Sequence, residues 1–171
     1  TFAAVKQELL VENTRGFLVA LAHLAGLNQG DLTNCAVIFT HLQETHYPYY
    51  TGFYLADLEG NILCSTPGES PDHLHGCTHY QNLIQSEGFT VSTYHICRIS
   101  GKGVISLGYP VYDDYNQVTG VVNVGIDLEW FNNFAEDVNL PPGSTLTVSD
   151  QEGIILAHYP DSDYWVGKKV P

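Results

Sequence analysis

"GVISLGYPVYDDYNQVTGVVNVGIDL" occupies residues 103–128 and holds two strand signals around a polar turn. The runs 103–113 and 118–128 are rich in β-branched and aromatic residues, and 113–117 is polar, the pattern of two antiparallel strands joined by a turn. Side chains alternate across a strand. Val122, Val124, Ile126 and Leu128 therefore share one face of the second run, and Asn123, Gly125 and Asp127 share the other. The first run sorts likewise, with Ile105, Leu107 and Tyr109 against Ser106 and Gly108. Pairing the strands sets the two small, polar groups of residues side by side. One face then serves as an ordinary core. The other is a shallow polar floor missing side-chain volume, which is what a small-molecule cavity requires.

Working outward, "FYLADLEGNILCST" (53–66) reads as two short strands with Gly60 at the bend, and "FTVSTYHI" (89–96) as a further strand. Residues 1–26 read as one long helix, with Leu10, Thr14, Phe17, Leu18, Leu21, Leu24 and Ala25 at three- and four-residue steps and Gly26 as a stop. Its earlier turns carry a thinner stripe (Phe2, Val5, Leu9), suited to projecting or to meeting a second copy. Asp31 caps a second helix that buries Leu32, Cys35, Ala36, Phe39 and Leu42 and is ended by Pro48. The stretch 67–88 is loop followed by a short helix, and 129–138 is helical. The expected fold is α+β: a five-stranded antiparallel sheet with a long N-terminal helix, the helices segregated to one side. It is complete by about residue 138. "DLEGNIL" (57–63) then returns as "DQEGIIL" (150–156), after Pro141 and Pro142. Residues 139–171 are expected to be a linker and the opening hairpin of a second, similar domain.

Nineteen acidic residues against six basic ones give a formal charge of −13. Such a surface repels phosphate backbones and anionic headgroups, so no nucleic-acid partner is expected. No apolar run reaches the roughly eighteen residues that span a bilayer, and any membrane anchor is expected in flanking segments. Cys35, Cys64, Cys77 and Cys97 permit three pairings and form no C-x-x-C motif.

The chain resembles the Cache domain, the extracytoplasmic PAS-like sensor module of bacterial receptors. The resemblance rests on the long N-terminal helix followed by "LADLEGNILCST", "HYQNLIQSEGFTVS", "SGKGVISLGYPVYDDYNQVTGVVNVGIDLEWF" and "LTVSDQEGIILAHYPDSDYWVGKKVP". The fourth is the most specific, a strand ending in Pro-Val, a turn, then Gly-Val-Val and Asp-Leu before a helix. The last is similar to the start of the membrane-proximal half of double-Cache sensors. The resemblance implies a periplasmic module of a histidine kinase, diguanylate cyclase or chemoreceptor, dimeric through its N-terminal helix, that binds a metabolite of the amino acid, amine or carboxylate class. It implies no cofactor and no catalysis within this segment.

In amino-acid-sensing relatives an Asp at the position of Asp127 binds the ligand ammonium. An Arg just before the aromatic of the helical segment clamps the carboxylate. Here "GCTHYQN" places Thr78 where that Arg would stand, leaving Arg98 or His79 to substitute. Tyr80 matches the aromatic position, and Tyr94 or His95 the next one. Asp127 also has a plain alternative role as a helix cap. The candidate ligand residues are thus Asp127, Tyr80, Tyr94, His79, His95, Arg98, Ser106, Gly108, Asn123 and Gly125.

"DHLHGCTH" alternates His73, His75, Cys77 and His79, a set able to hold zinc or copper if the segment is extended. A disulfide tying the 67–88 lid to the sheet is the expected use of the neighbouring cysteines. No phosphate-cradling Gly loop, HExxH or GxSxG occurs. The rivals to a metabolite sensor are a structural dimerisation spacer and a metal-binding sensor.

Overall fold

The structure, a computed structural model, describes residues 2–27, 32–46, 50–67, 73–74, 77–97, 100–130, 133 and 140–171. Its elements are α1 (Phe2–Leu27), α2 (Cys35–His46), β1 (Tyr50–Asp57), β2 (Ile62–Ser65), α3 (Thr78–Ile84), β3 (Thr90–Val91), β4 (His95–Ile96), β5 (Gly103–Tyr112), β6 (Val118–Asp127), β7 (Leu146–Ser149), β8 (Ile155–Tyr159) and α4 (Ser162–Trp165). The main sheet runs β2-β1-β6-β5-β3, with β4 also on β5, and every pairing is antiparallel. The β5–β6 hairpin runs from Val104 opposite Asp127 to Tyr112 opposite Val118. Asp113 closes its turn by accepting the amides of Tyr115 (2.9 Å) and Gln117 (2.8 Å) through Oδ1.

The alternation read from the sequence sorts the sheet into two faces. On one, Phe53, Leu55, Ile105, Leu107, Val122, Val124 and Ile126 pack with Leu18, Leu21 and Ala22 of α1 and Phe39 of α2. Burying Leu18 completely removes it from water and contributes roughly 1.5–3 kcal/mol. Thr14 fits in the same stripe because its hydroxyl donates to the Leu10 carbonyl (2.7 Å) and meets the Tyr50 hydroxyl (2.9 Å). On the other face Tyr54, Ala56 and Val121 pack under Leu74, Cys77, Tyr80 and Leu83. Helices thus cover both faces, because the short helix in 67–88 crosses to the side opposite α1.

Three local readings differ from expectation. The strand at 89–96 is two pieces, since Ser92 breaks the ladder between them. Its Oγ accepts the Ser106 amide (2.8 Å), taking a place a strand carbonyl would hold. Leu24 and Leu32 are exposed rather than buried. The disulfide joins Cys35 to Cys64, pinning α2 to β2, whereas Cys77 of the lid segment lies outside it. Asp31, Pro48 and most of 131–139 lie outside the described residues, and 128–130 is helical.

Residues 146–159 form a separate two-stranded sheet, β7–β8. Leu156 and Ala157 nonetheless sink into the same core as α1 and β6. The two DxEG turns share a device. Asp57 Oδ1 accepts the Asn61 amide (2.8 Å), and Asp150 Oδ1 accepts those of Glu152 (2.9 Å) and Ile154 (2.8 Å). They part at the second oxygen. Asp57 Oδ2 takes the Asn61 side chain (2.8 Å), but Ile154 offers nothing there, and Asp150 Oδ2 takes the Tyr94 amide (2.9 Å) instead.

Candidate ligand site

A cavity of about 420 Å³ opens along the β3–β4 edge of the main sheet. α3 supplies His79, Asn82 and Leu83, the broken strand supplies Thr90 to Ile96, and the second DxEG turn supplies Glu152. His79 and His95 stack inside it, ring centroids 4.0 Å apart and planes 19° from parallel. His95 is held from three sides, with Nδ1 at 3.0 Å from the Thr93 carbonyl and 3.3 Å from Ser92 Oγ, and Nε2 at 3.2 Å from Ser106 Oγ. Burial holds its pKa below the ordinary histidine value, although the bond to Thr93 works the other way. Tyr94 turns its ring to the far side, onto Gly103 and Gly167, where a Cβ would come within 2.9 Å and 3.3 Å of it. The cavity therefore has flat imidazole walls, several hydroxyls and an amide, and a carboxylate at its rim. That set is chemically suited to a small polar molecule.

The floor read from the sequence lies next to this cavity and is largely roofed. A Cβ on Gly108 would stand 2.5 Å from Leu83 Cδ2, and Gly125 lies directly under the Thr51 side chain. Asp127 does not line the cavity. Its Oδ2 receives the Lys102 ammonium (2.5 Å), and its Oδ1 accepts the Glu129 amide (2.9 Å), the cap geometry. The bond to Asp127 holds the Lys102 ammonium above its ordinary value, with burial opposing. Between floor and roof remains a void of about 20 Å³, lined by Tyr54, Thr66, Cys77, His79, Ser106 and Gly125 among others. Asn123 is wholly buried, and neither end of its carboxamide has a hydrogen-bond partner among the described residues. The buried Tyr54 hydroxyl is in the same state.

Of the residues expected at a site, His79, Tyr94 and His95 line the cavity, and Ser106 reaches it through His95. Tyr80 points into the roof's own core, and its hydroxyl donates to the Asp57 carbonyl. Arg98 and His75 lie outside the described residues. Among the described residues no three His, Cys, Asp or Glu side chains gather as metal ligands. His73 instead bridges to Asn61. Ser92, Asn82, Glu152 and Lys102 belong to the site's surroundings without having been singled out. Lys102 was within reach, since carrying the 104–106–108 alternation back one step puts it on the face of Asp127. Glu152 had no local signal, because a turn 56 residues from Ile96 meets the cavity only in the folded chain.

An antiparallel sheet in the order β2-β1-β6-β5-β3, with a long helix on one face and a roofed polar cavity at the edge of the other, defines a PAS-like sensor fold. The chain belongs to the Cache-domain family, whose model matches residues 5–168. Its structure is similar to the ligand-binding domain of the Pseudomonas fluorescens chemoreceptor CtaA, solved with L-serine. The TM-score is 0.79 at 20% identity, covering 98% of this chain and 71% of that one. It is also similar to the ligand-binding domain of the Campylobacter jejuni chemoreceptor Tlp3, solved with 4-methylisoleucine (TM-score 0.72, 21% identity, 93% and 66% covered). A third likeness is to the extracellular domain of the putative histidine kinase rpHK1S-Z16 (TM-score 0.72, 15% identity, 99% and 77% covered). No curated protein sequence matches.

Proposed function

We infer that this chain is the extracytoplasmic ligand-sensing part of a transmembrane signalling receptor, and that the cavity beside His79 and His95 takes a small metabolite. The single observation behind this reading is the 420 Å³ cavity, walled by the imidazole pair in a Cache fold. Structurally similar receptor domains hold amino acids, which makes the amino acid, amine and carboxylate classes the first to try. Glu152 at the rim suits an ammonium group.

In this reading residues 1–138 form the sensing unit and 139–171 begin a second Cache-like unit. Ligand shifts the receptor only through its differential affinity for two arrangements. The Tyr94–Asp150 bond joins the cavity wall to the second unit, and α1 leads away from the shared core. A dimer along α1 would cover Leu9 and Leu24, which are exposed. The filled floor over Gly108 favours a second reading, a spacer whose cavity has no ligand. Thermal-shift titration with amino acids, amines, carboxylates and purines separates the two. A compound that raises the melting temperature of the protein, and does so less in His95→Ala, supports the sensor. Stabilisation by none supports the spacer. Sedimentation of the same sample tests the dimer.

A further inference from the structure

Among the described residues, the three buried polar side-chain atoms without hydrogen-bond partners lie in one place. Tyr54, Asn123 and Gly108 are register neighbours across β1, β6 and β5, so they form a single row on the roofed face. Buried amides are almost always paired, because an unpaired one loses its hydration with no return. A leucine of similar volume at 123 would pack the same space without that loss, so core packing gives no reason for a carboxamide. Above the row sits Leu83 of α3. A Cβ on Gly108 would stand 2.5 Å from Leu83 Cδ2 and 3.2 Å from Asn123 Nδ2, so the leucine and the carboxamide share the room the glycine leaves. The small void in the next row, beside Gly125 and Ser106, and the edge cavity have Cys77 and His79 as common walls.

We propose that α3 is a movable roof, and that lifting Leu83 off Gly108 joins the void to the edge cavity, admitting a ligand whose neutral amide or lactam edge pairs with Asn123. The proposal rests on the sensor reading above and narrows its ligand. A carboxamide presents one donor and one acceptor side by side, and its complement is an acceptor–donor edge. A carboxylate offers acceptors alone and would leave Asn123 Oδ1 unpaired. An ammonium offers donors alone and would leave Nδ2 unpaired. The Tyr54 hydroxyl supplies a third bond, and burial raises its pKa well above the ordinary value, so it stays a neutral donor. The nearby charges Lys102 and Asp127 are matched to each other. Any charge on the ligand stays at the rim, near Glu152.

Nicotinamide and uracil carry such an edge, while nicotinate differs from nicotinamide in replacing it with a carboxylate. In ¹⁵N-labelled protein, nicotinamide or uracil shifts the Asn123 side-chain amide signals and nicotinate does not. Asn123→Leu weakens that binding at least tenfold with an unchanged or higher melting temperature, and Leu83→Ala strengthens it threefold or more. Asn123 signals that no probe moves, in the native chain or in Leu83→Ala, overturn the proposal. So does a lower melting temperature for Asn123→Leu, which would show the carboxamide already satisfied in the closed fold by a buried water. If an amino acid binds and His95→Ala removes that binding while Asn123 stays silent, this proposal falls and the sensor reading stands. If nothing binds anywhere, both fall.

Discussion

Breaking the Cys35–Cys64 bond is the perturbation whose size the structure fixes best. The bond closes a loop with a sequence separation of 29, between a half-buried residue of α2 and a buried one of β2. Chain-entropy loss in the unfolded state for a loop of that length is worth about 3.6 kcal/mol. At roughly 2–4 °C per kcal/mol for a domain of this size, the melting temperature falls by about 7–14 °C. Two routes to the broken bond check each other. Reduction keeps the side-chain volumes, and the pair Cys35→Ala with Cys64→Ala removes the sulfurs. Both are followed by calorimetry and by urea unfolding, where a freer unfolded chain raises the m-value along with the lost stability. The bond lies at the β2 edge and the cavity at the β3–β4 edge, so the His95 signals of the folded protein stay in place. A fall of less than about 2 °C by both routes would refute the argument, because the loop entropy would then be absent.

Other outcomes follow from the site. Asp150→Ala frees the Tyr94 amide and raises its hydrogen exchange, at a cost of about 1 kcal/mol, while Asp57→Ala leaves Tyr94 protected. Burial alone would raise the Asp150 carboxyl, but the amides of Tyr94, Ile154, Glu152 and Gly153 hold it below its ordinary value. Its contribution is therefore full above the ordinary carboxylate pKa of about 3.9 and lost as pH falls further. Exchange at Tyr94 unchanged by Asp150→Ala would disprove the link. His95, lowered by burial, stabilises the fold above about pH 6.5 and loses that contribution on acidification. An imidazole NMR midpoint at or above 6.5 would contradict this. Asp127→Ala loses the cap and the Lys102 pair, about 1–2 kcal/mol in all, whereas Asp127→Asn keeps an acceptor for the Glu129 amide and loses less than about 1 kcal/mol. Equal losses in urea unfolding would count against the capping role.

The sheet was legible because its pattern is local and has a period of two. Alternation along 103–113 and 118–128 assigns Ile105, Leu107, Val122, Val124 and Ile126 to the core face, and they are there. The same alternation put Ser106, Gly108, Asn123 and Gly125 on the opposite face. It had no means of showing what lies above them. Leu83 over Gly108 and Thr51 over Gly125 are contacts between distant elements, and no local period encodes them. Ser92 illustrates the same limit within a strand. Residues 89–96 have good strand composition, yet one hydroxyl taking the Ser106 amide is enough to split the ladder. The cavity arises at that split, where Ser92 to Tyr94 interrupt the strand between β3 and β4.

In the proposed sensor, the repeated phrase bears on how an event in the cavity would reach residues 139–171. Both DxEG turns need an Asp to collect amides, and one carboxylate oxygen suffices for that. The fifth position decides what the other oxygen does. Asn61 in the first copy satisfies Asp57 locally and makes that turn self-contained. Ile154 in the second copy is apolar, so Asp150 is left to reach across to Tyr94, which is covalently next to His95 of the imidazole stack. The Tyr94 ring also rests against Gly167, whose amide donates to the Ile155 carbonyl of β8, so the C-terminal segment holds this residue by backbone and by ring. In the proposed sensor, movement of His95 on ligand entry would act on a residue the C-terminal segment already grips. Substituting Ile154→Asn should restore a self-contained turn and give Asp150 a partner that competes with Tyr94. The measurement is exchange of the Tyr94 amide, which rises in the variant while the β5–β6 amides keep their protection. A Tyr94 amide as slow as in the native chain would show that the docking does not depend on the fifth position of the phrase.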